Sequence, residues 1–268
     1  MPKFAANLSL MFNEVDFLER FAAARAASFD AVEFLFPYAF EPEQIAARLQ
    51  RYRLELVLHN LPAGDWAAGE RGLACDPRRS AEFQDGVGLA IDYARELGVQ
   101  RLHCLAGKLP PKLSHERAHA AYVANLRHAA AECAAHGIAL LIEPINDRDM
   151  PGYFLTGTRQ AAAIIAEVGA PNLFLQYDIY HMQRMEGELA ATIRRYRSLI
   201  RHVQLADVPG RHQPGTGEID FPSLFRLLDE LGYDGWVGCE YLPRGDTQAS
   251  LGWLEDERRR GAETLDRL

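Results

Sequence analysis

Apolar residues fall in short runs that alternate with longer stretches of helical spacing, and the alternation holds from end to end. The run over 4–10 has strand composition, and Phe17, Leu18, Phe21 and Ala24 then recur at helical spacing over 16–27. Strands follow over 31–36, ended by Pro37, and over 54–60, with a helix over 42–51 between them. A helix over 78–97 stops at Gly98, the place of a C-cap glycine, before a strand over 101–106. Ser114 and Arg117 open a helix that runs to His136 and stops at Gly137. A strand over 138–142 then ends in Glu143-Pro144, and Thr156 is placed to cap a helix through Val168. The aromatic-rich run from Leu173 delivers Asp178 and His181 where its apolar character gives out. Helix 189–199, strand 202–207, helix 221–231, strand 235–241 and a charged helix through Arg260 complete the chain.

Strict strand–helix alternation predicts parallel strands with crossover helices outside them. About eight such units in 268 residues, with no linker or break in composition, predict a single (β/α)8 TIM barrel over 1–268. An open doubly wound sheet would carry a Gly-rich phosphate turn after its first strand, and Asn7-Leu8-Ser9-Leu10-Met11 is nothing like one. The net charge of −8 argues against a nucleic-acid partner. No run reaches the length of a membrane span, and the start lacks the apolar core of a signal peptide, so the expected location is the cytoplasm. The four cysteines lack metal-site spacing and read as reduced core residues. A homo-oligomer is compatible with the amphipathic helices, whose apolar faces serve equally to pack on the barrel.

In such a barrel the chemistry collects at the C-terminal ends of the strands. Those ends read His59, His103, Glu143, Asp178 with His181, Gln204 and Glu240. Each has a plain structural alternative: Asp178 as a helix cap with His181 packed beneath it, Glu143 paired with an arginine, Gln204 ordering a loop, Glu240 paired with Arg244. Together, Glu143, Asp178, Gln204 and Glu240 end four consecutive strands. Four converging oxygen ligands suit one hard or borderline divalent ion, Mg²⁺ or Mn²⁺. A cation also holds ionised a set of carboxylates that would otherwise raise one another's pKa. His59 is a candidate for substrate contact, and Arg211 and Lys108 are candidates for holding an anionic substrate group. The Gly-rich loop 62–72, with Trp66 and Arg71, has the composition of a lid.

Five stretches carry a family resemblance: Leu58 to Trp66, Leu141-Ile142-Glu143-Pro144-Ile145-Asn146, Gln176 to Gln183, Pro214 to Ile219, and Gly235 to Tyr241. Over essentially its whole length the chain resembles the hydroxypyruvate isomerase family of sugar-isomerase-like TIM barrels. The N-terminal part, from Met1 to Tyr38, looks equally like the 2-oxo-tetronate isomerases of that family. The resemblance implies a metal at Glu143, Asp178, Gln204 and Glu240, with Glu143 and Glu240 as the proton-transferring pair. It places His181 and Arg211 near a small hydroxy- or oxo-acid substrate. The implied reaction interconverts hydroxypyruvate and tartronate semialdehyde through a cis-enediolate. A two-metal hydride-shift isomerase, a DNA-repair endonuclease and a non-catalytic sugar-acid binder are the competing readings. The endonuclease would need a His-rich zinc site, and Gln204 stands where a histidine would serve it.

Overall fold

The computed structural model describes residues 1–265, with side-chain surroundings to residue 261. The eight strands are β1 (Lys3–Asn7), β2 (Ala31–Glu33), β3 (Glu55–Asn60), β4 (Arg101–His103), β5 (Ala139–Ile142), β6 (Leu173–Asp178), β7 (Ile200–Leu205) and β8 (Trp236–Cys239). Helices α1 (Phe17–Ala26), α2 (Pro42–Tyr52), α3 (Ser80–Leu97), α4 (His115–Ala135) and α5 (Thr158–Val168) follow the first five strands in turn. Two helices, α6 (Ile179–Met185) and α7 (Leu189–Tyr196), lie between β6 and β7. Helix α8 (Phe221–Glu230) precedes β8, and α9 (Gly252–Leu265) follows it. Each strand pairs in parallel with the next, and β8 returns to β1, so the sheet is a closed barrel.

The barrel is filled from below. Ala5, Ala31, Val57, Leu58 and Leu141 form a buried cluster against which Phe174 and Trp236 pack. This plug makes the interior a core rather than a pore, and it leaves polar side chains only the C-terminal end of the strands. The larger apolar cluster lies between the strands and the helices. Its helical contributions keep the expected spacing, as Phe83, Val87, Ala90, Ile91 and Ala94 do along α3.

Several strands stop earlier than their apolar runs. β2 ends at Glu33 although the run continues through Phe36, and β4 ends at His103 although the run continues through Ala106. Thr156 does not cap α5: the helix begins at Thr158, whose N–H is accepted by the carboxylate of Glu186 at 2.6 Å. A side chain distant in sequence supplies the acceptor a local cap would have given. Ser114 caps α4 as expected, and Gly98 ends α3 in the left-handed conformation. All four cysteines are buried and unpaired. Among the described residues no helix is long and apolar enough to cross a membrane.

Candidate active site and metal centre

Register brings the strand ends to one level: Asn7 lies beside Glu33, Asn60 beside His103, and Asp178 beside Gln204, which in turn lies beside Gly238. Because successive residues face opposite sides of a strand, these inward positions form one polar floor. A cavity of about 130 Å³ opens above it, lined among others by His103, Glu143, His181, Gln204, Arg211 and Glu240. Trp66 stands at its edge, packed on Phe36 with ring centroids 5.1 Å apart and covered by the Arg71 guanidinium 3.8 Å from its own centroid.

Glu143, Asp178, His181 and Glu240 each offer one ligand atom, all within 4.8 Å of one another, and all four residues are buried. Asp178 does two jobs with its two oxygens. Oδ1 caps α6 by accepting the N–H groups of Tyr180 (2.7 Å) and His181 (3.3 Å), while Oδ2 has no hydrogen-bond partner. Oε1 of Glu143 is also unpartnered, and its Oε2 lies 3.5 Å from His103 Nε2. Oε2 of Glu240 accepts from Arg211 Nη2 at 3.0 Å, so its cation is Arg211 and not Arg244. Burial first, then the Glu240 and Asp178 carboxylates, push Glu143 well above the usual carboxylate range. Burial pushes Glu240 up to about 8, with Arg211 pulling the other way. Burial lowers His181 and His103 to about 3, so both rings are neutral.

Beside the carboxylates lies a buried polar network of which strand-end reading finds only Gln204. The Glu33 carboxylate accepts from Asn7 Nδ2 (3.0 Å), Gln204 Nε2 (2.8 Å) and His202 Nε2 (2.6 Å). Gln176 Nε2 donates to Gln204 Oε1 at 2.6 Å. The Gln204 amide is therefore oriented with its nitrogen toward Glu33, and its oxygen keeps a second lone pair. A Cβ on Gly238 would lie 2.3 Å from Glu33 Oε1, so the glycine makes the room that the carboxylate occupies. In the sequence Glu33 is marked only as the one charged residue of the run over 31–36.

Arg211 is placed by the loop after β7. The Asp207 carboxylate accepts the backbone N–H groups of Val208 (2.9 Å), Gly215 (3.0 Å), Gly217 (2.8 Å) and Ile219 (3.2 Å). Arg211 itself has φ +56°, a conformation a non-glycine residue adopts only when its surroundings hold it there.

Two sequence candidates stand elsewhere. His59 is fully buried between the rings of Phe34 and Tyr38, at centroid distances of 6.4 and 6.2 Å, while its neighbours Leu58 and Asn60 line the cavity. Lys108 lines a separate groove with Arg71, Arg78 and Arg79.

The residues present fit a divalent cation. Two buried carboxylate oxygens without a partner face one point, and a donor set of three carboxylates with a histidine beside them suits a hard or borderline ion.

The sequence profile of the xylose isomerase-like TIM barrel family matches residues 21–257. Hydroxypyruvate isomerase of Escherichia coli K12 is 54% identical over 96% of this chain and 100% of its own length. The 2-oxo-tetronate isomerase of Cupriavidus necator is 52% identical over 95% of this chain and 98% of its own. A solved structure described as an AP endonuclease, family 2, from Brucella melitensis is 47% identical, with TM-score 0.94, covering 96% of this chain and 99% of that one. The chain therefore belongs to the xylose isomerase-like TIM barrel family, among its hydroxypyruvate and 2-oxo-tetronate isomerases, and is an enzyme of the isomerase class.

Proposed function

We propose that this isomerase interconverts hydroxypyruvate and tartronate semialdehyde by proton transfer between adjacent carbons, with Glu143 and Glu240 as the proton-transferring pair. The observation that carries the reading is the buried group of Glu143, Asp178 and Glu240 around unpartnered oxygens, in a chain 54% identical to a hydroxypyruvate isomerase along its length. Glu143, Asp178, Gln204 and Glu240 would hold one divalent ion, Mg²⁺ or Mn²⁺, which when bound supplies Lewis-acid charge for the oxygens of the substrate.

The chain's own groups do the rest. One glutamate removes a proton from C3 of hydroxypyruvate, leaving a cis-enediolate, and the other delivers a proton to C2. The hydroxyl proton passes from O3 to O2, so no atom or electron is gained or lost. Burial raises both carboxyl groups in the cation-free site, and a bound cation would offset that shift, leaving a carboxylate able to take the C3 proton. Arg211, one quarter exposed and bonded to Glu240, is positioned to hold the substrate carboxylate. The buried floor closes the cavity from below, with Trp66 at its edge.

The test is turnover of hydroxypyruvate in D₂O with Mg²⁺ or Mn²⁺. Solvent deuterium in the product, with turnover reduced about 100-fold or more by Glu240→Gln, is the expected result. Turnover without exchange points instead to a hydride shift. The 52% identity to a 2-oxo-tetronate isomerase favours that acid as the second reading. It becomes the substrate if hydroxypyruvate is inert and 2-oxo-tetronate turns over with exchange. The endonuclease reading draws on the Brucella structure, and cleavage of abasic-site DNA by the metal-loaded protein would establish it.

A further inference from the structure

His181 sits among the candidate ligands, yet its ring is held in a way that separates it from them. The chain of contacts begins at Asp149, whose backbone N–H donates to Asn146 Oδ1 at 2.8 Å. An N–H has no acceptor capacity, so this bond fixes which end of the Asn146 amide is oxygen. The amide nitrogen then faces the Asp149 carboxylate at 3.1 Å, as a donor should. That carboxylate is itself held by the Tyr180 hydroxyl at 2.6 Å and by Arg184 at 3.4 Å.

With the amide so oriented, Asn146 Nδ2 lies 2.6 Å from His181 Nδ1, and the backbone N–H of Asn146 points at the same ring nitrogen from 3.4 Å. Nδ1 meets two donors, so it carries the lone pair. In a neutral imidazole the proton is then on Nε2. Nε2 faces the cavity, 3.9 Å from Glu143 Oε1 and 3.8 Å from Asp178 Oδ2. Ligation of a cation through Nε2 would need a lone pair where this tautomer has a proton.

We propose that Asn146 is a positioning residue that locks His181 as the Nε2–H tautomer, so that the ring donates a hydrogen bond to a substrate oxygen in place of ligating the cation. The proposal rests on the isomerase reading for the substrate oxygen, while the tautomer rests on geometry alone. A neutral N–H aimed at the oxygen that gains charge in the enediolate stabilises the transition state more than the bound substrate.

The experiment uses protein labelled with ¹⁵N-histidine and long-range ¹H–¹⁵N correlations, recorded metal-free and with Mg²⁺. His181 is assigned by the signal missing from His181→Gln. The expected spectrum shows Nε2 protonated and Nδ1 bare in both states. The opposite tautomer, or loss of the Nε2 proton when Mg²⁺ is added, overturns the proposal. In Asn146→Leu, close in shape but with no donor, the ring becomes a mixture of tautomers. There kcat falls about 30-fold, while KM and Mg²⁺ affinity stay within about 3-fold. A pure Nε2–H ring in that variant removes Asn146 from the role. If the wild type leaves hydroxypyruvate unchanged, the kinetic arm fails with the functional reading, and the spectra still decide the tautomer.

Discussion

Glu33 illustrates how much of the site is set by a group that orients its neighbours from the floor of the cavity. Its carboxylate gathers three N–H donors, one of them the Gln204 amide, and Gly238 supplies the space. Replacing Glu33 by Gln keeps the volume but removes the charge that directs the amide. Mg²⁺ affinity should fall about 10- to 100-fold by titration calorimetry, as for other groups that orient ligands from behind. Gly238→Ala drives a methyl group into the same carboxylate and should cost about 1–3 kcal/mol in urea unfolding. An unchanged midpoint with full metal affinity would show that Glu33 has room to move.

These two positions also mark where sequence reading stops. The gathering of Glu143, Asp178 and Glu240 was legible because each follows the apolar run of its strand. Glu33 was not, because the run around it continues for three more apolar residues after β2 has ended. His59 was read at a strand end but faces outward. Parallel strands are buried on both faces, so apolar composition carries no phase and cannot tell an inward residue from its neighbour.

Among elements, the loop from β7 to α8 draws much of its order from one side chain. Four backbone N–H groups converge on Asp207, and Arg211 is carried in a left-handed conformation within the span they close. Hydrogen bonds to a charged acceptor are worth about 1.5–3 kcal/mol each against an empty site, so Asp207→Ala should release the loop well before the barrel. The expected outcome is faster proteolysis within 208–219 and a rise of about 10-fold or more in KM, from the loss of Arg211 as a substrate anchor. A KM equal to that of the wild type would separate Arg211 from substrate binding. The alternation of strands and helices, and with it the barrel, was plain in the sequence. The role of Asp207 was not, since its partners are backbone groups that leave no mark in residue identity.

At the scale of the whole molecule, the carboxylates couple stability to pH and to metal. The fold raises the Glu240 pKa from 4.5 to about 8, so it favours the neutral acid. The contribution of such a group is fully present below its unfolded pKa and is lost as pH rises through the folded one. The cation-free protein should therefore lose stability between pH 4.5 and about 8, relative to Glu240→Gln, in thermal melts. Mg²⁺ reverses the loss, because binding expels the proton, and its affinity should rise over the same window. Parallel melting curves for wild type and variant across that range would show that Glu240 is ionised without a cation.

The position of Trp66 has an optical consequence. Of the three tryptophans, Trp236 packs against the plug at the opposite end of the barrel and Trp253 packs on Phe4 and Phe225, so only Trp66 borders the cavity. Its indole is also stacked under a guanidinium at 3.8 Å and partly open to solvent. An anionic oxo acid entering the cavity changes both the field and the hydration of that ring. Intrinsic emission should thus report occupancy directly, with a change on adding substrate that vanishes in Trp66→Phe, and the protein carries its own gauge of binding without a label.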